Sequence, residues 1–144
     1  MTRDDLQRMD DILAFTSNIG HAGDIAHHGL LSHIAKLRKQ GWTFSPEQRA
    51  SLDDTLGELI ANQRQAAALF VNDDLRQARA LAGEKARFRT IETQAADTHL
   101  QKIKAGQVDA AEVGALYLDI LRDMKGINSH LVGCLLYTSD AADE

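Results

Sequence analysis

The chain has one cysteine and one proline among 144 residues, and aromatic residues make up only 5% of it. A single thiol, Cys134, excludes an internal disulfide, and no Cys spacing of metal-binding type exists. Long apolar runs are missing too. The longest, Ala66 to Val71, falls far short of the roughly 20 residues that cross a bilayer. No basic-then-apolar leader stands at the start, so the ordered part is expected to be soluble as it stands. Positive charge is in short supply: the net charge is -5 and the pI is about 5.6. That argues against a nucleic-acid partner, which needs a clustered basic surface to displace counterions from phosphates.

What remains is rich in Ala, Leu, Asp, Arg and Gln, an all-α composition long enough for one domain with a substantial core. The stretch around which the chain is organised is Asn18-Ile19-Gly20-His21-Ala22-Gly23-Asp24-Ile25-Ala26-His27-His28-Gly29. Ile12, Ile19, Ala26 and His33 recur every seven residues. Phe15, Ala22 and Gly29 run one step round from them, and Leu30, Ile34 and Leu37 continue the stripe. Three glycines inside this helical pattern each cost about 1 kcal/mol relative to alanine. Close approach of another helix is the expected compensation, with Gly20 and Gly23 facing the last helix. Asp119 to Leu131 loosely echoes this stretch, which suggests an internal repeat.

Helix one is expected from Asp4 and Asp5, which favour a helix N-terminus, to about Gln40, with Lys36, Arg38 and Lys39 in its last turns and Gly41 as its stop. Trp42 and Phe44 are expected to close the bundle end. Ser45-Pro46-Glu47-Gln48 opens helix two with a capping box. This helix runs to about Val71, with Leu52, Leu56, Leu59, Ile60, Gln63, Ala67 and Phe70 as its stripe. Asn72-Asp73-Asp74 turns the chain into helix three, which Gly106 ends after Ala105. Asp109-x-x-Glu112 then caps helix four, whose stripe is Val113, Leu116, Tyr117, Ile120, Leu121, Met124, Ile127 and Leu131. Short connections imply an antiparallel up-down four-helix bundle.

Two chemical constellations stand out. Asp24-x-x-His27 has the acid-x-x-His spacing of metal-carboxylate bundles, although no second copy accompanies it. His28-Gly29, or His33 followed by Lys36, can be cast as the reactive histidine of a phosphotransfer bundle. No nucleophile-base pair, phosphate-cradling glycine loop or complete metal set emerges, so the chain is not expected to be an enzyme.

Asn18 to Ala26 resembles the conserved segment on the third helix of a PhoU repeat, and Asp119 to His130 resembles its counterpart on the last helix. Leu116 to Leu131 is similar to the end of the PhoU-like domain attached to bacterial sodium/phosphate cotransporter-related proteins. The resemblance covers nearly all of residues 4 to 133. It implies that helix one closes a first repeat and that helices two to four form a second, making an incomplete two-repeat PhoU-like fold. It also implies a regulatory or assembly role in phosphate uptake, on the cytoplasmic face of the inner membrane. The implied partner is the membrane transporter domain of the same full-length chain, with self-association of the isolated fragment.

In PhoU proteins an acid-x-x-x-Asp motif on each repeat can hold a metal cluster. Here the first motif places Gly20 where the leading acid belongs and Asp24 at its final aspartate, while the second places Lys125 and Ser129 at the two positions. Asp119 and Asp123 supply an acid-x-x-x-Asp spacing outside that register. Asp24, Asp119 and Asp123 are therefore the metal candidates, Fe or Zn the metals implied, and no cofactor is the expectation. The alternative is that Asp24, Asn128, Ser129 and His130 hydrogen-bond between helices one and four. The last eleven residues, Cys134 to Glu144, resemble the translation of a transposase-type sequencing adapter. They are expected to be an added tail on a fragment spanning 1–133.

Overall fold

A computed structural model describes residues 2–72, 74–107 and 111–142, with side chains described through Gly133. The described residues are helical apart from the connections between helices, and no strand occurs among them. The elements are α1 (Arg3–Asp24), a π-helical turn (Ile25–Leu30), α2 (Leu31–Gln40), α3 (Pro46–Val71), α4 (Leu75–Lys104) and α5 (Ala111–Ala142).

Local chemistry sets most of these boundaries. Thr2 caps α1: its side chain accepts from the Asp5 N–H at 3.3 Å, and Asp5 Oδ2 accepts from the Thr2 N–H at 3.0 Å. The Thr2 backbone N–H, aided by the Thr2 hydroxyl, holds the Asp5 carboxyl below its ordinary range. Ser45 and Gln48 make the expected reciprocal box at 3.1 and 3.0 Å, with Pro46 in the first turn. Asp74 caps α4 by accepting from the Arg76 and Gln77 N–H groups. Gly41 (φ 69°) and Gly106 (φ 83°) take up the left-handed conformation that stops α2 and follows α4. Asp73, in the expected turn, and Asp109, the expected cap of the last helix, lie outside the described residues.

α5 is the element on which the others converge. It packs against α1, the π turn and α2 along one side, and against α3 and α4 along others. It contributes Leu116, Ile120, Leu121, Met124, Ile127, Leu131 and Val132 to the buried core, as its sequence stripe foretold apart from Val132. Leu59, Ala66 and Leu69 of α3, Leu81 and Phe88 of α4 and Ala22 of α1 complete it. Trp42 and Phe44 pack against this core from the α2–α3 connection.

Three expectations are corrected. Helix one is helical from Arg3 to Gln40 as expected but is not α-helical throughout: the π turn inserts between α1 and α2, and its wider winding rotates the face presented to α5. The inward row of α1 runs through half-buried Phe15 and buried Ala22 and continues to half-buried Gly29 of the π turn, rather than along the Ile12–Ile19 row. Ile12 and Ile19 remain 42% and 38% exposed, whereas Phe15 stacks on Phe70 of α3 at 4.3 Å. Gly20 and Gly23 do not face the last helix, since a Cβ on either would meet nothing within 4 Å. The glycines that mark the close approach are Gly29, against Asp123, and Gly126, where a Cβ would lie 3.3 Å from Ile25 Cδ1.

The stripe of α3 is displaced in the same way. Leu56 and Ile60 are 41% and 43% exposed, and the inward row runs Leu52, Thr55, Leu59, Asn62, Ala66, Leu69. That row includes two buried polar residues, Thr55 and Asn62. Among the described residues no helix is long and apolar enough to cross a membrane.

Candidate functional site

Three of the residues singled out by sequence, His33, Asp123 and His130, meet along the seam between α1–α2 and α5. At its centre, His33 Nδ1 lies 2.8 Å from Asp123 Oδ2, joining residues 90 positions apart. A carboxylate oxygen accepts, so the Nδ1–H donates. Both groups are largely covered, at 25% and 20% side-chain exposure. The carboxylate fits because Gly29 has no side chain: a Cβ there would stand 2.7 Å from Asp123 Oδ2 and 2.9 Å from its Cγ. Gly29 lies at the C-terminal end of the π turn, one helical turn before His33.

A second bridge crosses the same seam farther along. The Asn18 side-chain NH₂ donates to the Ala14 carbonyl at 3.0 Å, which turns its Oδ1 toward His130 Nδ1 at 3.1 Å. Because that oxygen accepts, the His130 Nδ1–H donates. The His21 ring lies beside that of His130, with centroids 5.3 Å apart and planes tilted by 30°. His27 and His28 meet edge to face at 4.7 Å within the π turn.

The metal candidates go to separate places. Asp24 is exposed at the start of the π turn and makes no side-chain cap. Asp119 faces Arg122 at 3.6 Å, and Asp123 faces His33. Lys125 pairs with Glu92 of α4, to which the Arg122 Nε also donates at 3.3 Å. The Lys125 hydrogen bond, assisted by Arg122, holds the Glu92 carboxyl below its ordinary range against the opposing effect of burial. Among the described residues no group of three or more His, Cys, Asp or Glu side chains is placed to hold a metal ion.

The expected hydrogen bonding between the first and last helices holds for His130 but not for Asn128. Asn128, fully buried, turns to α3, where its Oδ1 accepts from Asn62 Nδ2 at 3.0 Å. The same Asn62 group reaches Glu84 Oε2 of α4 at 3.4 Å. Asn128 Nδ2 is buried without a hydrogen-bond partner, a donor costing about 1–3 kcal/mol. Sequence reading missed the partners of Asp123 and Asn128 because each lies on a different helix. The one available signal was a polar residue inside an otherwise apolar stripe.

A cleft of about 150 Å³ opens at the end of the molecule where α3 and α5 begin and α4 finishes. Its lining includes Gln48, Thr98, His99, Lys102, Gln107 and Tyr117, and the His99 ring rests directly on Gly114. Tyr117 Oη donates to Ser51 Oγ at 2.8 Å beside it.

No family model matches this chain, and no solved structure matches it. Curated relatives do. The chain is 29% identical over 130 residues to a Salmonella typhimurium protein named "Putative inorganic phosphate export protein YjbB". It is 28% identical over the same length to proteins of that name from Escherichia coli O157:H7 and Escherichia coli K12. Each alignment covers 90% of this chain and 24% of the relative, so the chain spans about a quarter of the length of the curated relatives it matches.

Proposed function

We propose that this chain is a PhoU-like regulatory or assembly domain of a sodium-dependent phosphate cotransporter-type membrane protein. In this reading it serves phosphate homeostasis from the cytoplasmic face of the inner membrane. The observation that carries the proposal is the alignment over 90% of the chain with proteins named for inorganic phosphate export. In this reading the domain acts on transport carried out by the remainder of a longer polypeptide, which is supported by an alignment that occupies a quarter of those relatives. Its role is one of binding and regulation rather than catalysis, and it works without a resident metal.

The arrangement of the helices supports the PhoU-like part of the reading. Asn18 pairs with His130 and His33 with Asp123, so the first arm runs opposite to α5. Glu58 pairs with Arg87, and Asn62 approaches Glu84, so α3 and α4 oppose each other. Asn62 with Asn128, and Ser51 with Tyr117, set α3 alongside α5 in the same direction. In this reading the order is up-down-up-down, with α3, α4 and α5 as one three-helix repeat and α1–α2 as the closing helix of another. The outward side of α1 carries Leu6, Met9 and Leu13 at 51%, 49% and 63% exposure, a face suited to further helices of the same protein.

A chimera tests this function. Residues 4–133 would replace the matching segment of the Salmonella relative, and cellular phosphate flux would be followed with radiolabelled phosphate. The expected result is membrane insertion as before, with phosphate flux restored relative to a version lacking the segment. Flux identical with and without the segment would refute a regulatory or assembly role.

A further inference from the structure

The seam between α2 and α5 holds a partly exposed histidine hydrogen-bonded to a carboxylate. We propose that His33 is a phosphoryl acceptor through its Nε2 atom, with Asp123 as the positioning residue. The 2.8 Å contact with Asp123 Oδ2 keeps the proton on Nδ1. In the neutral ring this leaves the lone pair on Nε2, the atom that must attack. His33 is paired with a carboxylate. His130 is held by the neutral amide of Asn18.

Three further features fit this role. The carboxylate sits behind the ring only because Gly29 leaves room for it, so two separated positions of the first arm and one of α5 build the pair together. The ring is covered but not sealed, with a quarter of the side chain exposed. Lys36 lies one turn beyond His33 on α2 and places a cation in this part of the helix, its Nζ 5.9 Å from the centre of the Trp42 ring.

The donor class is a small activated phosphate, either an acyl phosphate or a phosphoramidate. With phosphoramidate protonated on nitrogen, the Nε2 lone pair forms the new N–P bond while the donor's P–N bond breaks, its electron pair leaving on neutral ammonia; with an acyl phosphate the P–O bond breaks and the electron pair leaves on the carboxylate. The positive charge that develops on the ring is shared through Nδ1–H with the Asp123 carboxylate, which remains ionised. No oxidant or metal enters the balance. The product is a phosphohistidine that holds one phosphoryl group stoichiometrically, so the step does not make the domain an enzyme.

The test is incubation of the purified chain with phosphoramidate, followed by phosphorus NMR and mass-spectrometric site assignment at alkaline pH. The expected product carries one acid-labile phosphoryl group on His33. His33→Gln should abolish it, and Asp123→Asn should slow it about 10–100-fold. His27→Gln and His28→Gln should react at the unaltered rate. Labelling spread over the exposed histidines, absence of label, or an unchanged rate in Asp123→Asn would each overturn the proposal. Nitrogen NMR of the unmodified chain is independent of any variant's folding. The His33 ring should be the Nδ1–H tautomer, and an Nε2–H tautomer would overturn the proposal outright. The proposal is independent of the phosphate-flux reading, because labelling and flux are measured separately and either can fail alone.

Discussion

Replacing Gly29 with alanine sets two effects of opposite sign against each other, and the structure decides between them. Alanine is favoured over glycine in a helix by about 1 kcal/mol. Its methyl carbon, however, would stand 2.7 Å from Asp123 Oδ2, 2.9 Å from Cγ and 3.1 Å from Oδ1. Ordinary contact begins near 3.5 Å, so the carboxylate must retreat by roughly 0.8 Å or more. That displacement breaks the hydrogen bond to His33. A charge-assisted bond of this kind contributes about 1.5–3 kcal/mol when well covered, and this pair is only partly covered.

The net expectation for Gly29→Ala is destabilisation by about 1–2 kcal/mol, read as a lower urea midpoint by circular dichroism and a melting temperature reduced by about 2–8 °C. Gly20→Ala and Gly23→Ala should move the other way by up to about 1 kcal/mol each, because a Cβ at either position meets nothing within 4 Å. In an Asp123→Ala background the obstruction is gone and Gly29→Ala should become stabilising, giving a coupling of about 2 kcal/mol between the two positions. If Gly29→Ala stabilises the otherwise unaltered chain as the other two substitutions do, the close approach of the π turn to α5 is refuted.

The remaining predictions concern acid, association and the tail. Glu92 has a folded-state pKa below its ordinary value of 4.5, so its contribution to stability is fully present above that value and is lost as pH falls through the depressed folded pKa. Urea midpoints measured across this range should decline less steeply in Glu92→Gln, and equal slopes would contradict the assignment. The chain alone should self-associate through the outward face of α1, and Met9→Glu with Leu13→Glu should shift sedimentation velocity toward monomer; a monomeric parent chain would refute this. Deleting residues 134–144 should leave the melting temperature nearly unchanged, and a large loss would overturn the reading of that stretch as an added tail.

Helix ends were legible because capping is local. Ser45, Pro46 and Gln48 lie within four positions, and the bonds they make are those their side chains promise. Gly41 likewise ends α2 with positive φ. Thr2 had the same signal with Asp5 three residues on, but the cap itself was overlooked in favour of the aspartates. The phase of a helix is less local. The Ile12–Ile19 and Phe15–Ala22 rows differ by a fraction of a turn, and apolar spacing alone does not say which meets α5. No residue pattern announced the π turn, since its side chains are those of any helix. In α3, the inward row contains Thr55 and Asn62, so a stripe drawn through apolar residues alone slipped to one side. His33 and Lys36 were visible as candidates, but the Asp123 partner, 90 residues away, required the folded chain.

The convergence of the other helices on α5 has a consequence for biosynthesis. Ribosomes deliver a polypeptide N-terminal part first, at about 5–20 residues per second. The apolar faces of α1, α3 and α4 therefore emerge before the helix that covers them, and Leu116 to Val132 are among the late arrivals. Until then Leu59, Leu69, Leu81 and Phe88 lack the surface they will be buried against. The nascent domain is thus exposed to holdase chaperones and to premature association for most of its synthesis. A stop codon placed before Leu116 would release a polypeptide bound for degradation rather than a smaller stable unit.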